Sequence, residues 1–262
     1  MANFDLNNFV IDRIVRGVAL SQKDNSVLFS INQIQNASLN CASESTDAVD
    51  ALGTPIATFY RAKSAEFSAE NALFDMQLMA TQLGTKKKVA NADEKIIVPA
   101  METFTVEGTT YTLKHTPKVA PKEIYALNGD STFGVKYNKE TSESATAFAL
   151  SGKTLTLPTG IDDGTEMFVM YEYETENAVE VVNSATEFPV GCKFVMEVLG
   201  CDVCDQTNLI YAYVIFDNFK LSPDFDWSIA TDGSHPFSGK AQQAYCNKEK
   251  RLFSIVIPGD EE

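Results

Sequence analysis

Glu166-Met-Phe-Val-Met-Tyr-Glu-Tyr-Glu174 is the stretch on which the fold turns. It is rich in aromatic and other large apolar residues and follows the turn Asp162-Asp-Gly-Thr165, so it reads as a strong β-strand. The same texture extends on both sides of it. Lys153-Thr-Leu-Thr-Leu157 alternates with period 2 and stops at Pro158. Glu123-Ile-Tyr-Ala-Leu127 runs into Asn128-Gly129, the strongest hairpin-turn signal in the chain. Before that, Ile96-Ile-Val98, Phe104-Thr-Val106 and Tyr111-Thr-Leu113 are short β segments. After Phe188-Pro189, Gly191 to Leu199 and Asn208 to Phe219 read as strands joined by Gly200 to Thr207. Asp224-Phe-Asp-Trp-Ser-Ile-Ala230 alternates polar and apolar residues, and Thr231-Asp-Gly-Ser234 is a turn. Phe237 to Tyr245 and Leu252 to Ile257 read as a final hairpin across Asn247-Lys-Glu-Lys250, and Gly259-Asp-Glu-Glu262 as a frayed tail.

Toward the N-terminus, residues 1–35 read as extended, with Phe9 to Leu20 β-branched and Val27-Leu-Phe-Ser-Ile31 a short strand. Asn36 to Gly53 is dominated by Ser, Thr, Asn and Asp and is predicted to be a long exposed loop. Thr54-Pro-Ile-Ala-Thr-Phe-Tyr-Arg61 is a strand, its proline tolerated at the start. One helix is predicted over about 69–83. Ser68 would be its N-cap and Glu70 would sit in its first turn. Ala69, Ala72, Leu73, Met76, Met79, Ala80 and Leu83 would form its apolar face, and Gly84 its C′ residue.

Ten or more short strands and one helix predict a mainly β protein, a β-sandwich or barrel with a packed α-helix. Residues 107–176 begin and end in turn-rich sequence and are a candidate inserted β-rich lobe. Residues 1–106 and 177–262 would then form the β-sandwich or barrel core.

The charge balance, Lys+Arg 21 against Asp+Glu 36 for a net −15, excludes binding nucleic acid by its phosphates, which requires basic side chains that displace counterions. The first ten residues carry no basic region followed by an apolar one, so no signal peptide is expected, and no apolar run is long enough to cross a membrane. An odd number of cysteines, with 5 in all, then points to free thiols in a reducing compartment.

The sharpest candidate for chemistry is Cys201-Asp-Val-Cys204, with Cys192 before it and Cys246 after it. Four thiolates suit zinc, but a structural zinc site usually shows two such pairs, and this pair lies between strands rather than at a helix start. Unliganded thiols are the expectation. His115 and His235 lack a local catalytic signature. The pairs Asp202/Asp205, Asp162/Asp163 and Asp224/Asp226 lack the calcium-loop ligand ladder and read as turn residues. Phe59, Tyr60, Tyr171, Tyr173, Tyr211 and Tyr213 recur in strands and read as packing residues. No combination supplies an acid, a base and a nucleophile, so the chain is expected not to be an enzyme and to need no cofactor.

Three stretches together resemble the tail tube proteins of tailed bacteriophages. Asp47-Ala-Val-Asp-Ala-Leu-Gly-Thr-Pro-Ile-Ala-Thr-Phe-Tyr-Arg-Ala-Lys63 is similar to that family's polar loop and the strand before its helix. Ser64 to Thr85, with Ala69-Glu-Asn-Ala-Leu-Phe-Asp-Met-Gln-Leu-Met-Ala80, resembles the helix. Phe188 to Ile257 resembles the closing strands, with Leu221-Ser-Pro-Asp-Phe-Asp-Trp-Ser-Ile229 and Phe253-Ser-Ile-Val-Ile257. The likeness covers about two thirds of the chain and is one of layout; Cys201 and Cys204 have no part in it.

The resemblance implies a structural virion protein. Six-membered rings would self-assemble by pairing strand edges and would stack into a hollow tail tube. The N-terminal arm and the 36–53 loop would make ring-to-ring contacts. Partners would be other copies, a sheath or tail terminator, a tape measure, and a tail tip or baseplate, all assembled in the host cytoplasm without a membrane. Six copies at −15 each come to about −90 per ring, a charge that would let ejected DNA pass without being gripped. Other readings of the same profile are a head decoration or adaptor protein, a monomeric β-sandwich binding module, and a small zinc enzyme built on Cys201 and Cys204.

Overall fold

A computed structural model describes residues 8–243 and 250–259. The 247–249 connection, Cys246, residues 1–7 of the N-terminal arm and the acidic 260–262 end lie outside the described residues. The chain divides into two compact units. One comprises Met1–Lys87 and Val181–Glu262, the other Lys88–Glu180.

The first unit is an 8-stranded sheet. In chain order its strands are β1 (Phe9–Ser21), β2 (Val27–Ile31), β3 (Ile34–Val49) and β4 (Pro55–Asn71), and, after the second unit, β14 (Gly191–Asp202), β15 (Leu209–Leu221), β16 (His235–Ala241) and β17 (Ser254–Val256). The order across the sheet is β2-β1-β14-β15-β16-β4-β3, with β17 also on β15. Phe67 of β4 lies 5.8 Å, centroid to centroid, from Phe194 of β14. In a flat sheet these strands, three steps apart, would be separated by roughly 14 Å. The sheet therefore curls until its inner face meets itself, and Phe29, Phe67, Phe194, Phe216, Phe219 and Phe237 fill the interior. Helix α1 (Met76–Leu83) packs against β2 and inserts Leu78 into this core.

The second unit contains β5 (Lys88–Val89), β6 (Ile96–Thr105), β7 (Thr110–Thr112), β8 (Glu123–Leu127), β9 (Phe133–Lys139), β10 (Ala147–Ser151), β11 (Thr154–Thr156), β12 (Glu166–Thr175) and β13 (Val179–Glu180). Seven of these form the order β6-β12-β8-β9-β10-β11-β7. Its two end strands meet, because Phe104 of β6 stacks on Tyr111 of β7 at 3.7 Å and 7°. The seam is sealed by Glu102 of β6, a buried carboxylate that accepts hydrogen bonds from the Tyr111 hydroxyl (2.9 Å), the Tyr171 hydroxyl and the Lys114 N–H. This contact is made by side chains, with no backbone ladder between β6 and β7, so the sheet curls round on itself without a hydrogen-bonded closure. The unit is entered and left through adjacent residues, since Lys88 pairs with Glu180 and Val89 with Val179.

The chain is thus mainly β, with curled sheets and, among the described residues, one helix, as its composition predicts. The stretch Glu166–Glu174 lies in β12 and pairs with β6 along its whole length and with β8. That pairing places Ile96–Thr105 in the second unit, whose bounds are 88 and 180 rather than the predicted 107 and 176.

Five local expectations fail. The helix does not begin at Ala69. Ala65, Phe67, Ala69 and Asn71 alternate inward from β4, paired on both sides by β3 and β16, and this pairing overrides the helix propensity of an alanine-rich run. The N-cap is Asp75, whose carboxylate accepts the Leu78 N–H at 2.7 Å, and not Ser68. Gly84 does close the helix in the left-handed conformation (φ 74°). The 36–53 segment is no loop: most of it is β3, a strand exposed on both faces. Asp224–Ala230 forms no strand despite its alternation, and among the described residues β16 and β17 do not pair with each other, since each pairs with a different part of β15.

Candidate assembly interface

Strands β3 and β4 pair from Ile34 opposite Asn71 to Val49 opposite Pro55. On β4 the buried alternation ends at Ala65; farther out every residue of both strands is exposed. The chain crosses this boundary through a register shift between Ala42 and Glu44, opposite Ala62, which sits at a positive φ of 49°. Such bulges bend and twist a hairpin away from its parent sheet. Beyond it, Ala42 to Val49 extends roughly 25 Å at about 3.3 Å per residue.

The tip is built to hold its shape. Asp50 accepts the Leu52 N–H at 2.8 Å and the Thr54 N–H at 2.9 Å, and Gly53 takes the positive φ of 86° that the turn needs. Those two N–H groups, Thr54 first, hold the Asp50 carboxyl below its ordinary range. The arm between base and tip exposes large apolar side chains on both faces. Phe59 faces one side with Ala57 and Thr46, while Ile56 and Tyr60 face the other with Thr58 and Ser45. Leu52 at the tip is 92% exposed and Ile56 71%.

An isolated two-stranded hairpin is marginal in water, and exposed apolar clusters on a soluble protein mark contacts. The edge tells the same story. β3 ends the sheet order, so its outer backbone groups meet no strand among the described residues. Edges meant to stay free are usually blunted with lysine or proline. β3 carries neither.

The residues singled out for chemistry sit elsewhere and apart. Cys192 is buried, its thiol donates to the Phe219 carbonyl at 3.3 Å, and burial pushes its pKa up to about 12. Cys201 is buried on β14, whereas Cys204 is exposed in the following turn, its N–H bound to the Asp202 carboxylate at 2.7 Å. Among the described residues no three His, Cys, Asp or Glu side chains gather as a metal-ligand set. His115 is exposed and stacks on Tyr173 at 3.8 Å. Asp163 accepts the Gly108 N–H from a second turn, and Asp205 accepts the Thr207 N–H within its own turn.

His235 is fully buried. Its Nδ1 accepts the Asp75 N–H at 3.3 Å, so Nε2 carries the proton and donates to Gln82 Oε1 at 2.8 Å. Desolvation pushes its pKa below 6.5, although the nearby Asp75 charge opposes this. The ring thereby ties both ends of α1 to β16. Sequence reasoning missed this role and that of Glu102, because neither has a local motif.

A comparison with curated proteins finds no match. Residues 9–251, nearly the whole chain and both units, match the YomU/Tube protein family. No helix of the described residues is long and apolar enough to cross a membrane. A match of that extent, on curled β-sheets bearing an unpartnered arm and an unblunted edge, makes this chain a member of the YomU/Tube protein family, a structural tail tube protein of a bacteriophage.

Proposed function

We propose that six copies close into a ring through strand edges and that rings stack through the β3–β4 arm, producing a hollow tube through which the genome leaves the virion. The observation that carries this reading is the arm itself. It is exposed on both faces, lined with Ile56, Phe59 and Tyr60, and flanked by an edge without lysine or proline. A ring contact covers the edge and a stacking contact covers the arm. Stacking is head to tail, an open arrangement that extends as a filament.

The net charge of −15 supports the conduit. A wall of excess carboxylates repels phosphates, and DNA then slides without sticking. The adjacent entry and exit strands β5 and β13 support reading residues 88–180 as a lobe inserted into the tube-forming unit. Within the tail, the tube would bind a tape measure inside, a tip or baseplate at one end, and a sheath or terminator outside or at the other end, with assembly in the host cytoplasm.

Electron microscopy of purified subunits over a range of concentrations tests the reading. Six-fold rings or hollow tubes are expected. Subunits that stay monomeric even when supplied with a tail-tip nucleus overturn it, and a tube whose acidic residues lie only on the outer wall overturns the conduit.

A further inference from the structure

The outer face of the second unit's barrel breaks a rule of antiparallel sheets, which usually keep one face apolar and the other polar. On β12, Met167, Val169 and Tyr171 point into the barrel core, yet the intervening Phe168 and Met170 on the outside are apolar too. Phe168 lies 5.0 Å from Phe133, which stacks on Tyr125 at 4.7 Å and 19°. This row of rings, with Met101, Met170 and Val119, lines a cleft of about 580 Å³. Met101 is 65% exposed and Met170 46%. Aromatic rings and flexible thioethers are what the centre of a protein interface uses.

The rim of the cleft says what covers it. Lys118 pairs with Glu174 at 3.0 Å and Lys136 with Glu123 at 3.3 Å, while Lys122 and Glu172 line the cleft wall. Positive and negative groups are matched here, on a chain whose net charge is −15. A surface dominated by one sign repels a second copy of itself. Because these charges neutralise one another within the chain, the rim around the apolar centre is a place where two copies of an acidic protein can meet without the repulsion that their net charge imposes elsewhere.

We infer that this cleft is a contact between neighbouring copies, a second assembly surface carried by the 88–180 unit and separate from the β3–β4 arm. The inference rests on the proposed self-assembly, but the two are separable by experiment. Hydroxyl-radical footprinting of the native protein, read by mass spectrometry, compares dilute free subunits with assembled tubes. Met101 and Met170 should be oxidised in the free subunit and should lose that reactivity in tubes, down to the level of the buried Met167. If Phe59 and Tyr60 become protected in tubes while Met101 and Met170 stay reactive, the arm assembles and this inference is overturned. Met101 and Met170 already as unreactive as Met167 in the dilute subunit also overturn it, because the face is then covered within one chain. If none of the four becomes protected in tubes, both the stacking role of the arm and this inference fall.

Discussion

Replacing Ile56 by threonine isolates what the arm contributes. Threonine keeps the β-branch, and with it the preference for a strand, but removes apolar surface and adds a hydroxyl. Fully burying an isoleucine side chain is worth about 1.5–3 kcal/mol. Ile56 is 71% exposed in the single chain, so covering what remains in a stacked ring is worth about 1–2 kcal/mol per subunit. At 1.4 kcal/mol per tenfold, the critical concentration for tube formation should rise about 5- to 30-fold. The free subunit should be unaffected, because an exposed substitution away from special features usually changes stability by no more than about 0.5 kcal/mol. Pelleting assays across a concentration series give the critical concentration, and urea unfolding of the unassembled subunit gives the control. An unchanged critical concentration with an unchanged subunit would refute the claim that assembly buries this face of the arm.

Other perturbations test the scaffold. His235→Ala leaves Gln82 Oε1 and the Asp75 N–H without their partner in a buried site, and should cost about 2–4 kcal/mol in urea unfolding. Trp227, the chain's 1 tryptophan, is the reporter, stacked at 4.4 Å on Phe74 beside that histidine. Because the folded pKa of His235 lies below 6.5, its contribution is fully present above pH 6.5 and is lost as pH falls below it. The ceiling on that loss at pH 5.5 is about 1.4 kcal/mol, and His235→Ala should abolish the dependence. In alkaline titration followed by ultraviolet difference absorbance, Tyr111 should ionise near about 12, raised by burial first and by Glu102 second. Glu102→Gln should bring that ionisation earlier without restoring 10.0, since burial remains. Gly84→Ala places a Cβ 2.3 Å from the Phe188 backbone at positive φ, and should lower the thermal midpoint of the first unit. With a thiol reagent, Cys41 and Cys204 should react at once and Cys192 only on unfolding.

The parts of this fold legible from sequence are those whose partners lie inside the chain. Glu123–Leu127 and Glu166–Glu174 are strands as read, because each packs one face on the second unit's core and so carries its pattern locally. Gly84 was readable for the same reason: a left-handed helix end needs a glycine whatever surrounds it. The start of α1 was not, because Ala69 to Asn71 is helical by propensity and extended by its neighbours. Only the alternation of Phe67, Ala69 and Asn71 with Ser68 and Glu70 hinted at the outcome. The polar network of Glu102 joins β6, β7 and β12, and that of His235 joins β16 to α1; contacts so distant in sequence leave no spacing to read.

The arm was hidden for a deeper reason. Period-2 patterning arises when one face of a strand is buried and the other wet. Between Ala42 and Val49 the single chain buries neither face, so the sequence of that half of the arm looks like loop, although Thr54 to Arg61 reads as a strand. Yet the arm as a whole places an apolar residue on each side and a capped turn at its end, at the expense of solubility and with no return inside one subunit. Such a sequence makes sense when the second surface belongs to another molecule, so the pattern must be sought across copies. The outer face of β12 obeys the same logic. Its Phe168 and Met170 made the strand look uniformly apolar, which is how a strand covered on both faces appears. One cover is the barrel core; the other, on this argument, is a neighbouring subunit.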